Sequence, residues 1–184
     1  TNTGTVASLI NSANEFTNTG GTIASTASVT GGTLDVDGGM VGATTNSGGI
    51  VELSGSAMIA SLTQNMTGTL TTIDGPATVT GLTDIDTGTP GGLNGQTLTA
   101  TGGVDMASGT TLNLTGTVAG NVDSAGTIDV SNGAAANTGT VTGDLDSTGS
   151  INLSGNINNQ LSIGGTGDLT GPVTVDLDAT GATG

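Results

Sequence analysis

One short template recurs along this chain, and it limits what the chain can become more than any other feature. The runs Gly32-Thr-Leu-Asp-Val-Asp-Gly38, Gly49-Ile-Val-Glu-Leu-Ser-Gly55, Thr111-Leu-Asn-Leu-Thr115, Gly126-Thr-Ile-Asp-Val-Ser131 and Gly149-Ser-Ile-Asn-Leu-Ser-Gly155 all alternate aliphatic with polar residues between glycines. Alternation of period two places the aliphatic side chains on one face of a strand and the polar ones on the other. The flanking glycines punctuate each strand with a corner. Thr117 to Ser131 aligns with Thr140 to Ser154 at an offset of 23, with eight of fifteen positions identical. A third copy, Gly167 to Leu177, reads as two residues shorter between its Asp-Leu pair and the next strand. In the N-terminal half the period is nearer 17 or 18, with Gly21-Thr-Ile-Ala leading to Gly31-Gly-Thr-Leu-Asp-Val and Gly39-Met-Val-Gly leading to Gly48-Gly-Ile-Val-Glu-Leu. A weaker copy runs from Ser56 to Ile73.

Repeats this short cannot bury their apolar face alone, so neighbours must stack. The expected fold is all-β: a parallel β-helix (β-solenoid) of roughly nine coils with 17–23 residue repeats, occupying residues 1–184 as a single domain. A sandwich or barrel is the competing all-β arrangement, and the repeat identity argues against it. Residues 84–95, from Asp84 to Gly95, carry Pro90 and clustered glycines and read as a loop excursion from the rod. Val6 to Phe16 is the one segment compatible with a helical turn.

Composition then removes whole classes of function. Among 184 residues there is no Lys, Arg, His or Cys, and 15 acidic residues give a formal charge of -15. Nucleic acid and anionic membranes have no cationic partner here. Structural zinc sites, disulfides and thiol chemistry are excluded, and Ser or Thr nucleophiles have no His or Lys to activate them. A third of the chain is hydrophobic, mean hydropathy is +0.13, and there are only three prolines, which together oppose a disordered linker. No apolar run approaches the ~18 residues of a membrane span. The N-terminus, Thr1-Asn-Thr-Gly-Thr-Val6, shows no signal peptide and no initiator Met, so the chain is expected to be a mature or excised fragment of a longer repeat protein.

Gly20-Gly-Thr-Ile-Ala24, Val29-Thr-Gly-Gly-Thr-Leu-Asp-Val36 and Asn46-Ser-Gly-Gly-Ile-Val-Glu-Leu53 resemble the short repeats of autotransporter passenger domains of Gram-negative bacteria, notably the self-associating adhesin type. The Gly-Thr-Val-x-Gly-Asn/Asp-Val/Leu pattern at 116–122 and 139–145 is similar to passenger and filamentous adhesin repeats. The resemblance implies an extracellular β-helical stalk at the bacterial cell surface, with roles in adhesion, self-association or biofilm. The chain departs from that family in lacking a translocator barrel and any Lys or Arg.

Four Asp-aliphatic-Asp triplets, Asp35/Asp37, Asp84/Asp86, Asp144/Asp146 and Asp176/Asp178, place two carboxylates ~6.6 Å apart on one strand face. With more Asp on neighbouring coils they are candidate oxygen ligands for calcium, or else a solvated face that discourages sheet aggregation. A tandem calcium-binding glycine repeat is absent; Gly164-Gly-Thr-Gly-Asp-Leu169 comes closest. Paired carboxylates also serve glycoside hydrolysis, but a sugar cleft would need aromatic platforms and Phe16 is the single aromatic residue. Thr-x-Thr pairs at Thr67/Thr69, Thr78/Thr80, Thr87/Thr89, Thr97/Thr99/Thr101 and Thr138/Thr140/Thr142 are the equipment of an ice-binding face, yet their intervals are uneven. The sequons at Asn65, Asn113 and Asn152 are read as chance matches in an Asn-, Thr- and Ser-rich chain.

The expectation is therefore a non-catalytic extracellular structural or adhesive solenoid, with no catalytic, cofactor-binding or metal residue assigned. The alternative is a calcium-dependent surface-layer or matrix-forming filament; an ice-binding solenoid or a carbohydrate-active β-helix ranks lower. Homotypic association through coil ends or rod sides is the expected partnership, with a host or matrix surface as a further partner, since neither terminus reads as a polar cap. Repulsion between acidic rods predicts that lateral association needs cations, low pH or salt.

Overall fold

A computed structural model describes residues 1–65, 70–73, 75–81, 83–87, 96–130, 137–153 and 159–174. All regular structure among them is β, and every strand pair is parallel. The chain is a β-solenoid in which each rung lies on the one before. The first rung holds β1 (Thr5–Val6), β2 (Leu9–Asn11) and β3 (Glu15–Thr19). The second holds β4 (Thr22–Val29) and β5 (Thr33–Asp37), the third β6 (Met40–Asn46) and β7 (Ile50–Ser54), and the fourth β8 (Ala57–Asn65) and β9 (Leu70–Ile73). The fifth follows with β10 (Ala77–Val79) and β11 (Thr83–Thr87). From the sixth rung three short strands recur: β12 (Thr97–Ala100), β13 (Val104–Met106) and β14 (Thr111–Asn113), then β15 (Thr117–Ala119), β16 (Val122–Ser124) and β17 (Thr127–Asp129). The last two are β18 (Thr138–Val141), β19 (Leu145–Ser147) and β20 (Ser150–Asn152), and β21 (Gln160–Ile163), β22 (Gly167–Leu169) and β23 (Val173–Thr174).

Three sides result. The first runs β1-β4-β6-β8-β10-β12-β15-β18-β21, nine strands deep, in keeping with the expected nine coils. The second runs β2-β4-β6-β8-β11-β13-β16-β19-β22, because β4, β6 and β8 are long enough to turn the corner and serve both sides. The third comprises β3-β5-β7-β9 and β14-β17-β20-β23. Strand continues to Thr87, so the expected excursion does not begin at Asp84; residues 88–95 lie outside those described.

The repeat spacing follows from these ladders. Partners differ by 17 or 18 positions in the upper rungs (Thr22 with Met40), by 21 in the middle (Thr83 with Val104) and by 23 where Val122 meets Leu145. Two expectations need correction. Val6 to Phe16 forms no helical turn: Leu9 and Phe16 pack against the core from strands that pair with β4 and β5. The last repeat is also not shortened. Asp168 stands beside Asp146, not Asp144, and Val173 beside Ile151, so a single offset of 22 holds for both strands.

Inward columns of mainly aliphatic residues fill the narrow interior: Ile23, Val41, Ile59 and Val79 on the first side, Leu62, Val104, Val122 and Leu145 on the second with buried Thr83 between Leu62 and Val104, and Leu112, Ile128 and Ile151 on the third. Polar residues enter where the chain turns and needs backbone groups satisfied. Buried Asn18 donates from Nδ2 to the Gly21 and Gly38 carbonyls at 3.0 and 3.4 Å, Asn11 donates to the Thr33 carbonyl at 2.7 Å, and Asn46 accepts from the Gly49 N–H at 3.1 Å. The first corner is tighter. A Cβ on Gly42 would overlap the Ser25 carbonyl oxygen, where β4 carries an extra residue against β6.

Gly42→Ala is therefore expected to cost ~3 kcal/mol, since backbone must move to admit it. Gly20→Ala, at a φ of 71° with open space around the new methyl, should cost only the left-handed conformation, ~1 kcal/mol. Urea midpoints by circular dichroism rank the two. A second outcome concerns Ser124 and Ser147, stacked in one inward column with no hydrogen-bond partner for either hydroxyl. Replacing both with Ala removes two desolvated polar groups, so stability should hold or rise, by about 1 kcal/mol at most, read from the same midpoint.

Candidate functional site

On the second side, one register position per rung forms a column down the whole ladder. Reading by register, it runs Ile10, Ser28, Thr45, Thr63, Asp84, Asp105, Asp123, Asp146, Asp168. Its upper four members are uncharged and its lower five are all aspartate. Each flanking residue in β13, β16 and β19 is buried, so the strands Val-Asp-Met, Val-Asp-Ser and Leu-Asp-Ser expose only the carboxylate between two core side chains. Strands pair at ~4.8 Å, which sets the spacing of the carboxylates along the axis. Like charges in directly opposed cross-strand positions destabilise a sheet. The core beneath the column holds them there regardless.

A second line runs beside it at the bend that precedes each of these strands. Asn121 Oδ1 accepts from the Asp144 N–H at 3.0 Å, and Asp144 Oδ1 accepts from the Thr166 N–H at 2.8 Å and the Thr166 hydroxyl at 2.9 Å. The Thr166 N–H, then its hydroxyl, hold the Asp144 carboxyl below the usual carboxylate value against a small desolvation effect. Between the two lines lies an open groove of about 470 Å³ bordered by Gly103, Asp105, Asn121, Asp123, Asp144 and Asp168. Among the described residues no three carboxylates converge as a closed metal cage. The arrangement is a line of negative charge that attracts cations along its length.

The residues singled out in the sequence fall in different places. Asp144 and Asp146 both border the groove, but only Asp146 belongs to the column. Asp84 occupies the column's fifth register position, and Asp86 follows on the same strand. Asp176 and Asp178 lie outside the described residues. Asp35 and Asp37 stand on the third side, where Asp35 opposes Glu52 by register. Partial burial raises the Asp35 carboxyl above its ordinary value, with Asp37 and then Glu15 pushing the same way. Asp105, Asp123 and Asp168 escape a search for paired carboxylates because each is the lone acid of its strand. For Asp105 and Asp123 the signal that finds them is the place after the first core residue of each short strand, and Asp168 joins them by register with Asp146.

The hydroxyl pairs also change standing. Their uneven intervals are absorbed between strands, and Thr97, Thr117, Thr140 and Ser162 stand in one register column on the first side. The neighbouring column has Thr78 and Thr99, then Ala119, so a two-column array is not sustained. Thr67 and Thr89 fall outside the described residues. Of the sequons, Asn113 and Asn152 flank Asp129 in a column on the third side, with Asn152 Nδ2 donating to Asp129 Oδ1 at 3.3 Å. The sequon at Asn65 extends beyond the described residues.

No protein-family description, curated protein or solved structure matches the chain.

A pH dependence follows from Asp35. Its folded-state pKa lies above the ordinary 3.8, so between those two values the folded chain holds more proton than the unfolded one. Stability at this site therefore rises as pH falls through the raised value and is lowest at neutral pH. Asp35→Asn is expected to raise the urea midpoint at pH 7 modestly, since solvent screens a cluster only partly buried, and to remove part of the wild-type gain on acidification. Asp144 has the opposite sign: its contribution is present above 3.8 and lost as pH falls through its lowered value.

Proposed function

We propose that this chain is a segment of a non-catalytic, extracellular β-solenoid of a bacterial surface adhesin, a stalk or fibre element whose surface chemistry drives adhesion and self-association. The observation that carries the reading is the in-register aspartate column on a continuous parallel ladder. A rod of this kind is rigid along its axis because each strand hydrogen-bonds the next. With no Lys or Arg in the sequence, the column has no internal counter-charge. Its counterions must come from the medium, and the extracellular medium supplies divalent cations at the millimolar affinities of extracellular calcium modules. Two rods whose columns face one another through such ions would be bridged; without the ions they repel.

The same column favours a second reading, a calcium-dependent surface-layer or matrix-forming filament. The two differ in what the assembled rods do, not in how they join. Catalysis is disfavoured because the sequence offers neither a His or Lys to activate a hydroxyl nor aromatic platforms for a sugar.

Calcium titration of the chain, followed by sedimentation velocity and circular dichroism, tests the proposal. Millimolar calcium should promote reversible assembly that sodium chloride of matched ionic strength does not reproduce and EDTA reverses. Asp123→Asn with Asp146→Asn should weaken that response several-fold while leaving the fold intact. An assembly state and a thermal midpoint indifferent to calcium would remove the role given to the column. Display on cells separates the two readings: clumping of cells that carry the chain supports the adhesin, and ordered sheets of free protein support the lattice.

A further inference from the structure

The first side carries no acid at any described strand position, from Thr5 in β1 to Ile163 in β21, although the chain bears -15 overall. Outward residues Thr22, Thr78, Thr97, Thr117 and Thr140 give it hydroxyls and methyls in place of charge. Met40 and Met58 stack on adjacent rungs, 55% and 43% exposed, and form a ridge with Thr22 above and Thr78 below. Alongside lies a furrow of about 170 Å³ over Ala24, Gly42 and Ala60. Gly42 cannot carry a side chain without striking the Ser25 carbonyl oxygen, so the furrow is kept open by the backbone of the corner itself. Ile10, 77% exposed, sits in the uncharged upper part of the adjoining column.

We propose that a second copy of this chain docks here, ridge into furrow, about a two-fold axis parallel to the rods. Charge selects the partner. A molecule with many carboxylates and no basic side chain repels its own kind wherever acids face acids, and this side is where two copies meet without opposing them. The surface is also self-complementary, which a two-fold contact requires: a ridge and a furrow lie side by side, and rotation brings each against the other. Methionine suits the ridge, being flexible and polarisable enough to settle into a shallow groove. Nine rungs at ~4.8 Å and a width of three to four residues at ~3.3 Å give a strip on the order of 500 Å² per copy, below the ~800 Å² of a standard stable interface. The contact is therefore reversible and concentration-dependent.

This inference deepens the self-association reading by naming a face and a partner, and it is tested with calcium absent so that the two can fail separately. Sedimentation velocity of the full chain in EDTA should show concentration-dependent dimers that strengthen as sodium chloride screens the remaining repulsion. Met40→Glu with Met58→Glu drives two carboxylates into the partner's furrow and should weaken association at least tenfold. Met40→Thr with Met58→Thr, which copies Thr22 and Thr78 of the same column, should also weaken it and guards against misfolding of the charged variant, with both folds checked by circular dichroism. Thr148→Glu, at an exposed bend between the other two sides, should leave it unchanged. A monomer at every concentration in EDTA overturns the proposal, and so does a dimer insensitive to both methionine pairs. Assembly that appears with calcium alone and ignores the methionine variants would overturn it as well, while leaving the aspartate column's role standing.

Discussion

Parallel pairing in register is the constraint on which everything else in this molecule depends. A strand in such a ladder lies directly over its counterpart, so each residue is placed against its equivalent one rung away at ~4.8 Å. An antiparallel sheet would mix the ends of neighbouring strands; a parallel ladder multiplies whatever a single rung contains. Aliphatic residues become columns of core, and buried asparagines hold the corners, Asn11 and Asn18 donating to backbone carbonyls and Asn46 accepting from the Gly49 N–H. The same rule turns one outward aspartate per rung into a line of charge.

That amplification has a cost for a chain so one-sided in charge. Stacked carboxylates oppose the sheet that stacks them, and no basic side chain is present to relieve them. The tension is contained by geometry: Val104, Met106, Val122 and Leu145 are buried on either side of the column's carboxylates, so apolar burial holds each strand in place. Charge is also sorted among the sides. The first side is neutral through all its described strands, the second is neutral above and acidic below, and the third concentrates Glu15, Asp35, Asp37 and Glu52 in its upper rungs. A rod with one quiet side and two charged ones has a direction in which copies can approach and others in which they need ions.

Much of this was readable from the residues, within a definite limit. Alternation around Leu34 and Val36, Ile128 and Val130, or Ile151 and Leu153 shows which residues turn inward, because period two is a local property of an extended chain. Glycines at the corners show where the strands stop. What alignment by eye could not supply was the register of irregular rungs. Asp144-Leu-Asp146 offers two similar anchors two residues apart: the Asp-Leu pair of the final repeat resembles Asp144-Leu145, whereas the register partner of Asp168 is Asp146. The possible turn at Val6 to Phe16 failed for a related reason: its short strands gain their identity from pairing with β4 and β5.

The sequence by itself determined that this chain would be an all-β stack of short parallel rungs, acidic outside and aliphatic inside, because composition and a period of two are carried by each segment alone. The tertiary structure alone decided which residues of different rungs share a column. Asp105, Asp123, Asp146 and Asp168 are separated by 18, 23 and 22 positions, and unequal corners absorb those differences. So the acidic line, the uncharged side and the methionine ridge exist only once the coils are wound, since they are properties of registry between rungs and not of any rung.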